Sequence, residues 1–337
     1  MKNAEQIAFW NGDVGATWVA HNALMEAMLA PLGERVMDTL ALSADTRALD
    51  VGCGCGQPSL SLARRIGPGG AVTGVDISAP MLALARNLAN QESADSAAIQ
   101  FLEADAQIHA FEPDSFDVVF SRFGVMFFED PVAAFTNIRG AMSSQAKLAF
   151  CCWQPRARNP FMTVPAMAAL ELLPAPAEVP PRSPGPFAFE EPDYIEAILS
   201  SSGFSNIAVE AISHPLIFGP GLSVEEIVER LVTIGPIAQM VREAPDNLQQ
   251  PVREKVVAAV SPFYDPFNGL TLDGYTLAEV RRRLIAVGAG SCGRTGGVDG
   301  GMPHTVSRAR VCAEEDRGAA ADGKNAAESG ALLAARP

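Results

Sequence analysis

Ala48-Leu-Asp-Val-Gly-Cys-Gly-Cys-Gly-Gln57, followed by the acid of Gly74-Val-Asp-Ile-Ser78, is the stretch that decides how this chain folds. Ala48 to Val51 is a short apolar strand carrying one carboxylate, Asp50. It runs into three glycines at alternate positions, Gly52, Gly54 and Gly56. Glycine accepts positive φ and has no Cβ to bar a ligand lying on the backbone. Pro58 suits a first helical position, and Leu60, Ala63 and Ile66 recur at helical spacing. Strand, glycine loop and helix N-terminus in that order make a ligand cradle in open α/β sheets.

The context sharpens this. Ala71 to Val75 reads as a second strand, and Asp76 ends it twenty residues after Gly56. A nucleoside-binding sheet places there the acid that accepts both ribose hydroxyls. The spacing is Gly-x-Gly-x-Gly, and Gln57 stands where a dinucleotide pattern wants its third glycine. A compact loop preceded by Asp50 suits a ligand without a pyrophosphate.

On these residues the chain resembles the class I S-adenosylmethionine-dependent methyltransferases. Leu49 to Gly56 looks like their first motif and Val75 to Ser78 like the acidic second. Glu103-Ala-Asp-Ala106 looks like the adenine-side motif, and Phe116 to Ser121 like the fourth strand. In wording the chain is similar to the small-molecule branch related to quinone-biosynthesis methyltransferases, from roughly Phe9 to Gly219.

The resemblance implies a doubly wound, mostly parallel Rossmann-like α/β sheet with a helical lid and inserts, and S-adenosylmethionine as cofactor. Carried onto this chain, the cofactor contacts are Asp50, Gly52, Cys53, Gly54, Gly56, Asp76, Ile77, Met81, Asp105, Ala106, Ser121 and Arg122. Asp105 would accept from the adenine amino group, and the Ala106 N–H would meet a ring nitrogen. The plainer alternative for Asp105 is a turn or helix cap.

Composition bounds the alternatives. The length of 337 allows two domains, but one sheet-based core is visible, so one domain with inserts is expected. Hydrophobic residues make up 48%, ample for a core. No apolar run reaches the roughly 18 residues of a membrane span, and no signal sequence is evident. A cytoplasmic protein with reduced, buried cysteines is expected. Residues 276–337 hold nine Lys/Arg and seven Asp/Glu, which leaves 16 basic and 32 acidic residues in the body. A body at −16 repels phosphate backbones, so nucleic acid is not the expected partner.

Residues 1–45 read as a helical lid, with a turn at Trp10-Asn11-Gly12 and a helix that Pro31 stops before a second one from Leu32 to Leu42. His21 is the one titratable base there, a candidate catalytic group against the plainer reading of a surface histidine. Residues 46–153 form the cofactor core, with Ser78 as a natural N-cap and a fifth strand over Lys147 to Trp153. Trp18, Phe123, Met126 and Trp153 are candidate lining of an apolar acceptor pocket, core packing being the alternative for the residues after the fourth strand. No Asn/Asp-Pro-Pro-aromatic run follows that strand, as it does in nucleobase N-methyltransferases, and no metal set is seen.

Residues 154–287 are a substrate-side region with a proline-rich insertion, a sixth strand over Asn206 to Ile212, and cap helices over Leu222 to Met240 started by Ser223. The antiparallel seventh strand of such folds has Leu284 to Val287 as its one poor candidate. Residues 288–337 read as a disordered tail whose composition also fits an out-of-frame reading.

The expected chemistry is in-line displacement at a sulfonium methyl, driven mainly by positioning, onto oxygen or carbon of a hydrophobic small molecule. Two rival functions are an NAD(P)-dependent oxidoreductase and a non-catalytic cofactor-binding module.

Overall fold

The computed structural model describes residues 3–234 and 237–280. Three helices lead: α1 (Ala4–Asn11), α2 (Asp13–Ala20) and α3 (Asn22–Met37). The sheet then begins, with β1 (Arg47–Val51), α4 (Gln57–Ile66), β2 (Ala71–Asp76), α5 (Ala79–Ala89), β3 (Ala98–Glu103), β4 (Phe116–Arg122), α6 (Pro131–Ala141) and β5 (Met142–Trp153). After it come α7 (Pro160–Leu170), α8 (Pro192–Ser201), β6 (Val209–Phe218), α9 (Val224–Ile234), α10 (Ala238–Arg242), α11 (Asp246–Val260), the short β7 (Tyr264–Asp265) and β8 (Gly269–Val280).

The strands form one sheet in the order β3-β2-β1-β4-β5-β8-β6. Every pair from β3 to β5 is parallel, while β8 runs antiparallel to both β5 and β6. The order reverses between β1 and β4, so both strands deliver their C-terminal ends to one crevice, the switch point where open α/β sheets bind ligands. The expected mostly parallel, doubly wound α/β sheet is present.

The antiparallel strand corrects the sequence reading. It is Gly269–Val280, whose Leu270, Leu272, Thr276 and Ala278 are buried while Thr271 and Asp273 are exposed. This period of two was legible but broken by Gly274, which hides the strand. Gly274 faces Leu216, where a Cβ would sit 2.6 Å from the leucine side chain. The former candidate, Leu284 to Val287, and the 288–337 tail lie outside the described residues.

Other boundaries move for physical reasons. Pro31 does not stop a helix: it sits within the continuous α3, which ends at Met37 rather than Leu42. Met25, Met28, Leu29, Leu32, Val36 and Met37 are buried on both sides of the proline, and this burial outweighs the lost hydrogen bond. Strand β5 starts at Met142, so Ser143 to Ala146 lie in an irregular stretch of strand, where the register with β4 jumps from Phe116↔Met142 to Val118↔Lys147. Strand β6 lies three residues later than expected at its start and extends to Phe218. At α9, Ser223 and Glu226 form a reciprocal capping box, Ser223 N donating to Glu226 Oε2 and Glu226 N to Ser223 Oγ.

Candidate functional site

The loop after β1 takes its shape from its glycines. Gly52, Gly54 and Gly56 have φ of 68°, 55° and 89°, the left-handed region that favours glycine. Packing reinforces this at two of them. A Cβ on Gly52 would lie 2.6 Å from Gly124 Cα, and one on Gly56 2.7 Å from Ala85 Cβ. At Gly54 the nearest neighbour would be the flexible end of Met81, at 3.0 Å. Gly54 is therefore the position with room for an approaching ligand.

The loop amides are largely committed. Gly52 N and Cys53 N both donate to Val75 O, which ties the loop to the end of β2. Gly54 N donates to Asp76 Oδ2 at 2.8 Å, and Ser78 N to Asp76 Oδ1 at 2.9 Å. Each carboxylate oxygen of Asp76 thus has one backbone donor and keeps acceptor capacity for a pair of hydroxyls. Burial raises its pKa, and the N–H groups of Ser78, Gly54 and Ile77 oppose that rise.

Asp50, at the end of β1, is wholly buried. Its Oδ2 accepts from Ser59 Oγ at 2.6 Å, while Oδ1 has no hydrogen-bond partner. Burial pushes its pKa up to about 7; the Ser59 hydroxyl and Arg122 pull it down, and Asp76 and Glu26 push it further up. Arg122, at the end of β4, is also largely buried and pairs with Glu26 of α3 through NH1–Oε1 at 3.0 Å and NH2–Oε2 at 2.5 Å. Helix α3 passes so close that a Cβ on Gly33 would sit 2.8 Å from Arg122 Cδ. Three carboxylates, Asp50, Asp76 and Glu26, therefore face a single guanidinium around the loop, a field suited to a cationic ligand.

The cysteines of the loop are inert: Cys53 and Cys55 are free and buried, and burial lifts both thiols, Cys55 to about 12. Ser121 is buried with its hydroxyl on Val51 O, fixing β4 to β1 and accepting Gly124 N. Met81 is buried beside Gly54.

After β3, the Asp105 carboxylate accepts from Gln107 N and from the side chain of Asn3, and Ala106 is buried with its carbonyl on Asn137. Ile77 gives its carbonyl to Asn11 Nδ2, while Asn11 Oδ1 accepts Ala79 N. Ser78 stands at the N-cap of α5, but its hydroxyl bonds Trp10 O instead of capping. These residues of α1 and the one before it clamp the segments that follow β2 and β3, and the sequence reading missed Asn3, Asn11 and Glu26. Nothing in their type or spacing marks them, since their partners lie 66 to 126 residues away.

The candidate acceptor residues separate. Phe123 stacks on Trp153 with centroids 4.4 Å apart and planes 12° from parallel. Phe123 holds φ at 61°, a costly conformation for an aromatic residue, at the mouth of the crevice. Trp18 belongs instead to an aromatic group in the leading helices, edge-on to Trp10, which is edge-on to Phe127. Met126 is 1% exposed and packs in the core. His21 sits at the α2–α3 junction, half-buried, and its imidazole makes no hydrogen bond among the described residues. An open groove of about 650 Å³ beside Glu129, Arg182 and Tyr194 does not reach the glycine loop.

No group of three or more His, Cys, Asp or Glu placed to hold a metal occurs among the described residues, and no helix there is long and apolar enough to cross a membrane.

Comparison with known proteins meets this geometry at the same residues. Residues 49–150 match the family described as a methyltransferase domain. Aklanonic acid methyltransferase of Streptomyces sp. strain C5 is 31% identical over 120 residues, 36% of this chain and 54% of that protein. Demethylmenaquinone methyltransferase of Thermus thermophilus is 29% identical over 179 residues, 51% of this chain and 80% of that protein. The demethylmenaquinone methyltransferase of Staphylococcus aureus is 35% identical over 101 residues, 30% of this chain and 40% of that protein. The chain thus spans about half the length of the first of these relatives. Among solved structures, a phosphoethanolamine N-methyltransferase of Haemonchus contortus, with S-adenosylmethionine, is 19% identical over 75% of this chain and 53% of that one, at a TM-score of 0.43. That likeness is too loose to add to the strand order. The matched stretch, residues 49–150, takes in the glycine loop and Asp76, and over it the chain is similar to methyltransferase domains.

Proposed function

We propose that the protein transfers the methyl group of S-adenosylmethionine to oxygen or carbon of a hydrophobic small molecule. The observation that carries this is Asp76, whose two oxygens are fixed by the Gly54 and Ser78 amides so that their remaining lone pairs receive a ribose diol. When bound, the cofactor supplies a methyl group on a sulfonium, which is already a good leaving group. Asp50 Oδ1, buried without a partner, is matched to the cofactor's ammonium group. Asp105 receives the adenine amino group, and Gly54 leaves the space in which the nucleoside meets the loop. The acidic surroundings favour a cation over a pyrophosphate, which supports this reading over a nicotinamide-dependent one.

The protein's task is then alignment, and holding two partners in line supplies on the order of 7–11 kcal/mol. Phe123 and Trp153 offer an aromatic wall at the ends of β4 and β5 where an apolar acceptor would lie. For an acceptor that must lose a proton, His21 is the candidate base, and an unchanged kcat in His21→Ala removes it. The reading includes a cytoplasmic setting and no nucleic-acid partner, supported by the free buried cysteines and the −16 body.

The experiment is radiolabelled methyl transfer into metabolite extracts, alongside calorimetric titration with S-adenosylmethionine and with NADH. Transfer to an apolar product supports the reading. Tight NADH binding defeats it, and cofactor binding without transfer to any acceptor favours a silent binding module.

A further inference from the structure

Asn3 is 5% exposed and holds φ at 58°. Its Nδ2 donates to both oxygens of Asp105, at 2.9 Å each. Its Oδ1 accepts Glu129 N at 2.9 Å, and its own N–H donates to Glu129 Oε2 at 2.7 Å. One residue ahead of α1 thus bridges the loop after β3 to the segment before α6.

The chemistry of the contact matters more than its tightness. A carboxamide NH2 centred between the two oxygens of Asp105 is the same donor, in the same relation, as an exocyclic purine amino group. Gln107 N already takes a further lone pair of Oδ1 at 2.9 Å. A carboxylate has about four acceptor sites, so Asn3 on both oxygens and Gln107 on Oδ1 leave about one, on Oδ2 beside the Asn3 amide, for a second amino group. We infer that Asn3 is an internal surrogate for the adenine amino group, a latch that closes the leading segment over the nucleoside slot and gives way when adenine takes Asp105.

The inference rests on the proposed adenine role of Asp105. It explains why the segment closes on this acid: the hydrogen bonds of α1 itself, Asn11 to Ile77 and Ala79 and Trp10 to Ser78, reach the ribose edge but not the base. An intramolecular competitor lowers apparent affinity by the fraction of molecules left open. Its removal therefore strengthens binding, whereas removing a residue that merely shapes the slot weakens it. The sign of the effect separates the two.

The test is calorimetric titration of the full chain with S-adenosylhomocysteine. Asn3→Gly deletes the amide while keeping a residue at ease with positive φ. The expected result is binding tightened about 3- to 30-fold relative to wild type. In an Asp105→Ala background, which removes the contested acceptor, Asn3→Gly is expected to change affinity less than twofold. Asn3→Asp, which sets a carboxylate against Asp105 and Glu129, should tighten binding in the same direction as the glycine variant. Unchanged or weakened binding in Asn3→Gly overturns the latch, as does an equal gain in the Asp105→Ala background. Failure of the wild type itself to bind the ligand refutes instead the cofactor reading on which the latch depends.

Discussion

The proposed nucleoside half, from β1 to the loop after β3, and the proposed acceptor half, from Arg122 through β8, are held together by different forces. In the first, three carboxylates are fixed by named donors: Asp50 by Ser59, Asp76 by Gly54 and Ser78, Asp105 by Asn3 and Gln107. In the second, rings pack together, Phe123 on Trp153 and Phe135 against Phe150, Phe189 and Phe204, beside one buried hydrogen-bonded group of Gln154 and Asn159. Hydrogen bonds demand particular groups at particular places, whereas apolar packing tolerates many sequences of similar volume. Under the proposed function, a half that holds one invariant cofactor is well served by the first, and a half that must suit one acceptor among many by the second.

The difference is open to attack where the loop is tightest. Gly52→Ala forces a Cβ to 2.6 Å from Gly124 Cα at a φ of 68°. The strain and overpacking together should cost about 2–5 kcal/mol, read as a lower urea midpoint. An alanine variant as stable as wild type would show the loop to be adaptable, and the contrast with the acceptor half would weaken.

Acidity probes the same half. Asp50 titrates near 7 in the folded chain and near 4 in the unfolded one. A raised folded pKa means that the stability it contributes is present below about 4 and is lost as pH rises towards 7. Asp50→Asn should remove that downward slope in a thermal scan across the window. Binding of a cationic cofactor follows the opposite course: affinity should fall by up to about tenfold per pH unit below 7. The asparagine variant should flatten this dependence, and a persisting slope would assign it to another group.

Less is expected on the acceptor side. Trp153→Leu keeps an apolar side chain but loses the stack on Phe123, worth about 0.5–1.5 kcal/mol. The KM for the acceptor should rise about 2- to 10-fold with cofactor affinity unchanged. A change in cofactor affinity instead would join the two halves. The smallest effect belongs to the surface pair of Arg47 and Asp117, whose side chains are 46% and 37% exposed. Asp117→Asn should shift stability by no more than about 1 kcal/mol and leave both affinities unchanged.

The same contrast explains what the sequence disclosed. Asp50, the three glycines and Asp76 lie within one strand–loop–helix–strand unit, so composition and spacing locate them, and the parallel sheet follows. Residues defined by distant partners escaped. Asn3 meets Glu129 across 126 positions, and Glu26 meets Arg122 across 96. Pro31 misled because a local rule was overridden by the burial of α3. Strand β8 was missed because Gly274, placed there to clear Leu216, interrupts its alternation. Phe123 and Trp153 were both visible as apolar candidates, but no pattern announces that they stack while Met126, three residues on from Phe123, turns into the core.

The central claim is that Asp76, set by the glycine loop, grips the sugar of a sulfonium nucleoside. Calorimetric titration of the wild type and of Asp76→Ala with S-adenosylmethionine tests it most directly. A charge-assisted hydrogen bond is worth about 1.5–3 kcal/mol, so the alanine variant should bind roughly 10- to 150-fold more weakly while remaining folded. Equal affinity in the two proteins would contradict the account.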